Sequence, residues 1–241
     1  MKKLLLVLMV LISTGVAKSE LIAHWKFDEN SGNIVSDSQS NHDGTINGAS
    51  WDSGKLGTSL LFNNDYVNIG NYSTLQDFSQ LTLSAWIYCT GAPKSGANYD
   101  FLAGKEMVYK IDIDSSHIRF LTGNDWGGSI LTSNTTLTNN TWYHIAAVYD
   151  GEEKRLFING TQDLSTVSAS GAIGERDYAF TMGAQPNSSG YFEDYYRGKM
   201  DDVRVYNNAL TQSEIQSIMI PEPATLLLLA IGAVCVRQKP R

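Results

Sequence analysis

Side chains with oxygen atoms collect in one loop near the N-terminal end of the domain. Asp28 stands just before this loop, and Asp37, Asn41 and Asp43 lie within it. Calcium binds about six to eight oxygen atoms from carboxylates, amides and backbone carbonyls, so this composition suits that ion. Acid-rich segments are also common in solvated turns, which is the alternative interpretation.

Carboxylate pairs that could serve as a general acid and a nucleophile are poorly placed. Glu152–Glu153 adjoins a hairpin turn and Glu193–Asp194 falls in a polar loop, so both pairs are predicted to be solvated. Asp112 and Asp114 could share one strand face, but two serines follow them and we interpret both aspartates as turn formers. The sequence also lacks a Gly-x-Ser-x-Gly nucleophile turn, a phosphate-binding loop and zinc-type ligand spacing, so no residue is assigned a catalytic role.

Aromatic residues in polar loops are the candidates for stacking on a sugar ring. Trp126 lies in an Asn-Asp-Trp-Gly-Gly segment, and Tyr191 and Tyr195 belong to an aromatic loop that precedes the last strand. Such rings can equally form a small core of their own loop or contact another protein. The tryptophans that fall in strand patterns are predicted to lie in the core: Trp25, Trp86 and Trp142.

Short segments with alternating apolar and polar residues predict many strands. Leu81–Tyr88 and Tyr143–Tyr149 are the clearest, and Asp-Gly and Asn-Gly turns after the second indicate hairpins. The other predicted strands are Ile22–Asp28, Gly44–Asn47, Ser59–Phe62, Tyr66–Ile69, Phe101–Lys105, Val108–Asp112, Ile118–Leu121, Lys154–Asn159, Tyr178–Met182 and Gly198–Tyr206. This pattern favours an all-β, antiparallel two-sheet sandwich.

One short helix is predicted near the C-terminal end of the domain. Thr211 and Glu214 have the spacing of a capping box, in which each side chain accepts the other residue's backbone N–H. The helix is expected to end before Pro221, because the residue before a proline disfavours helical backbone.

Both ends of the chain have the pattern of processing segments. Residues 1–17 combine two lysines, an apolar run and a small-residue exit, which predicts a secretory signal peptide. Residues 221–241 contain a Pro-Glu-Pro triplet, the 13-residue apolar run Ala224–Val236 and three cations, which predicts a membrane-inserted sorting tail. Both apolar runs are shorter than the roughly 20 residues that span a bilayer comfortably. One domain is predicted between them, over residues 20–219.

The segment between the two ends is acidic. Residues 18–220 contain 13 of the 18 Lys and Arg residues and 24 of the 25 Asp and Glu residues, a formal charge of −11. This charge repels phosphate backbones and excludes nucleic acid as a partner. Cys89 and Cys235 fall in the domain and the tail respectively, so the fold is expected to hold without a disulfide.

Four stretches resemble the laminin-G-like jelly rolls of the concanavalin A-like superfamily. They are Ala23–Glu29 with Asn41–Thr45, Leu60–Val67 with Leu83–Trp86, Thr141–Ala146 with Leu156–Gly160, and Gly198–Tyr206 with Ala209–Thr211. Their order and spacing match the length of one domain. The tail resembles the PEP-CTERM sorting signal, which implies that a membrane-embedded exosortase recognises and cuts it.

The resemblance implies that the first and last strands are antiparallel neighbours. Asp28 would then lie near Asp201, and these two carboxylates with Asn41 are the predicted ligands of a structural calcium ion. The alternative is that both aspartates cap turns or pair with basic side chains. The Glu-x-Asp-x-x-Glu run of concanavalin A-like glycosidases is missing here.

For function, the resemblance implies an exported, non-enzymatic binding or adhesion module whose ligand is carbohydrate or another surface polymer. The expected location is the cell envelope, the cell surface or the extracellular matrix, with the tail as a transient membrane anchor. A fold supports many functions, and two alternatives stay open. They are a polysaccharide-active hydrolase or lyase with an atypical site, and a purely structural matrix protein.

Overall fold

The computed structural model describes residues 20–90, 99–123 and 129–220. The predicted signal peptide, the sorting tail and Trp126 lie outside these ranges. The strands are β1 (Leu21–Trp25), β2 (Ile34–Val35), β3 (Gly44–Asn47), β4 (Ser50–Ser53), β5 (Thr58–Asn63), β6 (Tyr66–Gly70), β7 (Leu81–Cys89), β8 (Asp100–Lys105), β9 (Tyr109–Asp114), β10 (His117–Thr122), β11 (Leu131–Thr136), β12 (Trp142–Tyr149), β13 (Glu153–Ile158), β14 (Thr161–Ser168), β15 (Phe180–Met182), β16 (Gln185–Pro186), β17 (Phe192–Glu193) and β18 (Arg197–Tyr206). A 3-10 turn covers Ser73–Leu75, and helix α1 covers Gln212–Ile218.

Most strands form two antiparallel sheets, which confirms the predicted sandwich. Sheet A has the order β14-β13-β12-β7-β18-β5-β4, and β1 also pairs with β18. Sheet B has the order β11-β10-β9-β8-β15-β6-β3-β2. The first and last strands are therefore antiparallel neighbours, as predicted. Strands β16 and β17 form a separate short hairpin.

The inner faces of the two sheets supply the main hydrophobic core. Leu83, Ala85 and Ile87 of β7 lie in this core together with Ile111 and Ile113 of β9. Successive side chains of a strand point to opposite faces, so the residues between these positions lie on the outer faces. Those outer faces carry polar and aromatic groups, among them Asp112 and Arg119 on sheet B and Trp86 and Tyr88 on sheet A.

The three strand tryptophans do not share one environment. Trp25 is a core residue as predicted, and its ring stacks on Phe180 with centroids 5.2 Å apart. Trp86 and Trp142 lie on the outer face of sheet A; the prediction holds for the burial of Trp86 and was wrong for Trp142. Trp86 is buried there against His144, with ring centroids 5.2 Å apart, and Trp142 is half-buried.

Strand β9 extends two residues beyond its predicted end. Ser115 and Ser116 reverse the chain with left-handed φ values of 51° and 69°. Two successive positive φ values are typical of a type I′ hairpin turn, whose twist matches that of the paired strands. Asp112 therefore lies inside the strand and is only 1 % exposed, so its interpretation as a turn former was wrong.

Helix α1 covers one end of the outer face of sheet A. The predicted capping box is confirmed, because Thr211 Oγ1 accepts the Glu214 N–H and Glu214 Oε2 accepts the Thr211 N–H. Ile215 packs with Phe157 and Tyr206 in a second hydrophobic cluster. Within the described residues, no helix has both the length and the apolar character that crossing a membrane requires.

Candidate functional site

Charged side chains line a depression on the outer face of sheet B. Lys110 and Asp112 alternate with the core residues of β9, so they face away from the core. Arg119 of β10 faces the same way, and the strand register places it directly opposite Asp112. The β9–β10 hairpin therefore brings two cations and a carboxylate to one surface.

Asp112 and Arg119 form a two-bond ion pair at this surface. Arg119 Nε and Nη2 donate to the two carboxylate oxygens at 2.6 and 2.8 Å, and the Tyr99 ring centroid lies 3.7 Å from the guanidinium carbon. Burial raises the pKa of Asp112, although the hydrogen bonds from Arg119 oppose this shift. A guanidinium held by both carboxylate oxygens has a fixed orientation.

A second ion pair extends the depression. Lys110 Nζ donates to Glu106 Oε2 at 2.9 Å and to Gln185 Oε1 at 2.6 Å. Burial raises the pKa of Glu106, and the charge on Lys110 only partly opposes this effect. Met107, Val108 and other apolar residues complete the lining.

The depression is shallow. It holds about 100 Å³, whereas pockets that enclose small molecules hold roughly 300–1,000 Å³. A ligand would therefore lie across these side chains instead of being enclosed by them.

Tyr191 and Tyr195, two of the predicted ligand-binding residues, belong to a segment that is hydrogen-bonded beside this depression. The Asp194 carbonyl accepts the Phe101 N–H at 2.8 Å, and the Asp194 carboxylate accepts the Tyr99 N–H at 3.1 Å. Tyr195 makes an isolated bridge with Phe101, and Tyr191 is 73 % exposed. The structure thus brings this segment next to the depression.

The third predicted ligand-binding residue, Trp126, lies outside the described residues. Gly123, three positions earlier in the chain, lines the depression. Sequence reasoning missed Tyr99, Arg119 and Lys110, although the alternation of charged and apolar residues across β9 and β10 was a usable signal.

Two of the predicted calcium ligands meet at another corner of the fold. Asp201 Oδ2 accepts the Leu56 N–H at 2.8 Å, and Asp28 Oδ1 accepts the Thr58 N–H at 3.1 Å. Both carboxylates therefore contact the loop between β4 and β5. Asp201 is fully buried and its Oδ1 has no hydrogen-bond partner.

The electrostatics of this corner disfavour a negative charge on Asp201. Burial raises the pKa of Asp201 to about 7, and the charges on Asp202 and Asp28 add to the shift while the Leu56 N–H opposes it. A cation is the kind of ligand that would stabilise the ionised carboxylate.

Asn41 lies apart from this corner in its contacts. Its side-chain amide donates to the Gln39 carbonyl at 2.9 Å, and its N–H contacts Asp37 Oδ2 at 3.4 Å. It lines a separate depression together with Tyr72 and Thr74. Across the described ranges, no cluster of three or more His, Cys, Asp or Glu side chains could hold a metal ion, so a site at Asp201 would need backbone oxygens.

Asp202, the neighbour of Asp201, takes part in a different network. Its carboxylate lies 2.6 Å from His24 Nε2 and 2.9 Å from Arg204 Nη2. Burial alone would raise the pKa of Asp202, but the hydrogen bond from His24 and the charge on Arg204 outweigh it and lower the pKa. A bulge in the pairing of β18 with β7, between Asp201 and Arg204, accompanies this arrangement.

Comparison with family models gives two matches. Residues 61–216 match the concanavalin A-like lectin/glucanases superfamily, and residues 220–239 match the PEP-CTERM protein-sorting motif. The second match implies export and targeting to the cell surface. No curated protein sequence matches the chain.

Solved structures with the same fold share little sequence with the chain. Domain 4 of AbnA, an extracellular arabinanase from Geobacillus stearothermophilus solved with arabinotriose, has 20 % identity and a TM-score of 0.64; the match covers 83 % of this chain and 98 % of that domain. The binding domain of Paraclostridial Mosquitocidal Protein 1 has 18 % identity and a TM-score of 0.64, and the match covers 82 % of this chain and 51 % of that one. Trypanosoma rangeli sialidase in complex with sialic acid has 16 % identity and a TM-score of 0.58, covering 81 % and 32 %. At these identities the likeness shows the fold alone.

Proposed function

Because the chain belongs to the concanavalin A-like lectin/glucanase superfamily, we propose that it is an exported, non-enzymatic binding or adhesion module for carbohydrate. The sorting tail anchors the chain briefly in the membrane until an exosortase-type enzyme processes it. The domain then remains in the cell envelope, at the cell surface or in the extracellular matrix. A shared fold does not establish a shared function, so the proposal depends on the depression in sheet B.

The Tyr99–Arg119–Asp112 arrangement is the observation that carries this proposal. The buried Asp112 holds the guanidinium in place, and the Tyr99 ring packs against it. Fixed donors and acceptors beside a ring suit a ligand with many hydroxyl groups, because little side-chain freedom is lost on binding.

The charge of the depression favours an uncharged sugar. Glu106, Asp112 and Asp114 face two cations, Lys110 and Arg119, and each cation already contacts a carboxylate. An acidic sugar would meet net negative potential here, and the negative domain charge adds to that repulsion.

A glycan array probed with residues 18–220 tests the proposal. The segment contains every described strand and both hydrophobic clusters. We expect saturable binding to uncharged glycans that Tyr99→Ala weakens about tenfold, because it removes the ring and leaves the ion pair. Tyr72→Ala, which changes an exposed tyrosine elsewhere, should leave binding intact. The absence of binding to any glycan would contradict the proposal and favour a purely structural protein.

We also propose that a structural calcium ion binds at Asp28 and Asp201. The unpartnered and buried Oδ1 of Asp201 supports this, because a buried polar atom without a partner is costly. Backbone carbonyls of the adjacent loops would complete the ligand set, since calcium takes about six to eight oxygens. Asn41 stays a prediction as a third ligand.

Thermal melts test the calcium proposal. At a calcium concentration 100 times the Kd, the ion would stabilise the domain by about 2.7 kcal/mol relative to chelator. Asp201→Asn should erase this difference, whereas Glu175→Gln, at an exposed acid outside the corner, should keep it. Superimposable wild-type curves with calcium and with chelator would rule the ion out.

A polysaccharide hydrolase is the second candidate, and Glu106 is the observation that favours it. Burial raises its pKa, which is the property of a general acid. Asp112 is buried behind Arg119, and both of its oxygens accept from Arg119, so it is poorly suited to act as a nucleophile. Release of reducing ends from a bound glycan, lost in Glu106→Gln, would support catalysis; binding without product would support the module.

A further inference from the structure

The outer face of sheet A changes character along strand β7. Its outward positions run from Thr82 through Ser84 and Trp86 to Tyr88. Near Thr82 the face is covered, because its hydroxyl accepts the Leu210 N–H and donates to the Asn208 carbonyl. At the other end Tyr88 is half-buried, and neither hydrophobic cluster of the described chain includes it.

The open end of this face presents a row of rings and a cation across three neighbouring strands. The register places Tyr88 opposite Trp142 of β12 on one side and opposite Lys199 of β18 on the other. The centroids of the two rings are 5.4 Å apart, and Lys199 Nζ lies 5.8 Å from the Tyr88 centroid. We call Trp142, Tyr88 and Lys199 the aromatic row.

Polar groups border the aromatic row. Lys199 Nζ lies 3.1 Å from Asp52 Oδ1, and it also donates to the Ser53 carbonyl and hydroxyl at 3.3 Å. The hydrogen bond from Lys199 lowers the pKa of Asp52, so this carboxylate stays ionised at neutral pH. The row therefore offers a matched donor and acceptor beside flat rings, with no large net charge.

Two buried polar atoms without partners lie one step along the same face. Trp86 is 6 % exposed and His144 is 1 % exposed, yet Trp86 Nε1 and His144 Nδ1 have no hydrogen-bond partner. Unsatisfied polar atoms at such depth are uncommon and call for an explanation, a polar ligand among them. They are an observation independent of the rings that also points to a ligand with hydroxyl groups.

We propose that the aromatic row is a second binding surface, which holds an uncharged polysaccharide chain. The inference rests on the proposed carbohydrate function for its ligand class, but on different residues for its site. The aromatic row and the depression at Arg119 lie on the outer faces of opposite sheets. One domain could then bind two polysaccharide chains at once and cross-link them, which raises the overall avidity.

Affinity electrophoresis of the full chain in mild detergent, through gels that contain neutral arabinan, β-glucan or galactomannan, separates the two sites. We expect Trp142→Ala and Tyr99→Ala each to weaken retardation about tenfold and the double variant to abolish it. Leu164→Ala, at an exposed side chain on β14, is the control and should behave as wild type. Light scattering should show that wild type aggregates the bound polysaccharide and that neither single variant does.

Lys199→Met is a second test of the same surface, for the case that Trp142→Ala does not fold. It keeps the aliphatic stem over Tyr88 and removes the ammonium donor, so we expect about threefold weaker binding with an unchanged melting temperature. The second surface would be overturned if Tyr99→Ala alone abolished retardation while Trp142→Ala and Lys199→Met behaved as wild type. The proposed function would still stand in that case. Wild-type protein that no probe retards would overturn both.

Discussion

The outer faces of the two sheets differ in whether their buried polar groups have hydrogen-bond partners. On sheet B, the groups at the depression are charged, mostly buried and hydrogen-bonded to one another, as Arg119 is to Asp112 and Lys110 to Glu106. On sheet A, the groups are mainly rings, and Trp86 and His144 keep polar atoms without partners. Groups at similar depth are therefore paired on sheet B and left without partners on sheet A.

The two faces should also respond differently to substitution. Removing one member of an ion pair is most damaging where the charge left behind is fully buried, as Asp112 is. A substitution in the aromatic row should mainly reduce the contact area with the ligand and hence the binding affinity.

Arg119→Met should be the most damaging change. It leaves the Asp112 carboxylate, 1 % exposed, without its two-bond partner, and we expect a loss of about 3–5 kcal/mol in the free energy of unfolding. Urea denaturation of the purified domain measures it. Asp112→Leu combined with Arg119→Met should recover most of the loss. If the single variant were as stable as wild type, the pair would not be a structural element of sheet B.

Acid should destabilise the sheet A face through His144. Burial lowers the pKa of His144 to about 3, whereas a free histidine titrates near 6.5. Above about pH 6.5 His144 is neutral in both the folded and the unfolded protein, so it does not change the free energy of unfolding. Below that pH only the unfolded protein gains the proton. At pH 5 this costs about 2 kcal/mol. His144→Phe should therefore unfold with a shallower acid dependence than wild type, and parallel pH profiles would contradict the assignment.

Thr211→Ala should have a smaller effect, confined to the covered end of sheet A. It removes the side-chain half of the capping box, which we expect to cost about 1 kcal/mol. Amide hydrogen exchange should rise in helix α1 and stay unchanged in β9 and β10. Equal acceleration in both regions would show that the helix and sheet B unfold as one unit.

Glu106→Gln should give the smallest effect, and of opposite sign to that of His144. Burial raises the pKa of Glu106, so the ionised form is disfavoured in the folded protein and stability recovers as the pH falls towards the unfolded value of 4.5. The variant should therefore be more stable than wild type at neutral pH, and this advantage should disappear in acid. A constant stability difference across the pH range would contradict this account.

Most of the scaffold follows from local pattern. β3 has its predicted bounds, and the spacing of Thr211 and Glu214 predicted the capped helix. β11 and β14 were missed because polar residues dominate them, threonine and serine above all. Small polar residues such as serine also fill turns. The pairing of these two strands depends on the rest of the sheet, which a local window does not contain.

The candidate sites were less predictable, because they depend on register. The meeting of Asp28 and Asp201 at one loop followed from the strand neighbours that the family implied. The Asp112–Arg119 pair required knowing that Ser115 and Ser116 form the turn, since one residue of slip moves every side chain of a strand to the other face. Trp142 was predicted in the core from its strand pattern alone, whereas the register of β12 places it beside Tyr88 on the outer face.

Calorimetric titration of a neutral oligosaccharide into the wild-type domain and into Tyr99→Ala measures whether the depression on sheet B binds sugar. We expect measurable heat and a Kd that rises about tenfold in the variant, with the melting temperature nearly unchanged. An identical Kd in the two proteins would show that the sugar binds elsewhere and would contradict the assignment of the depression on sheet B.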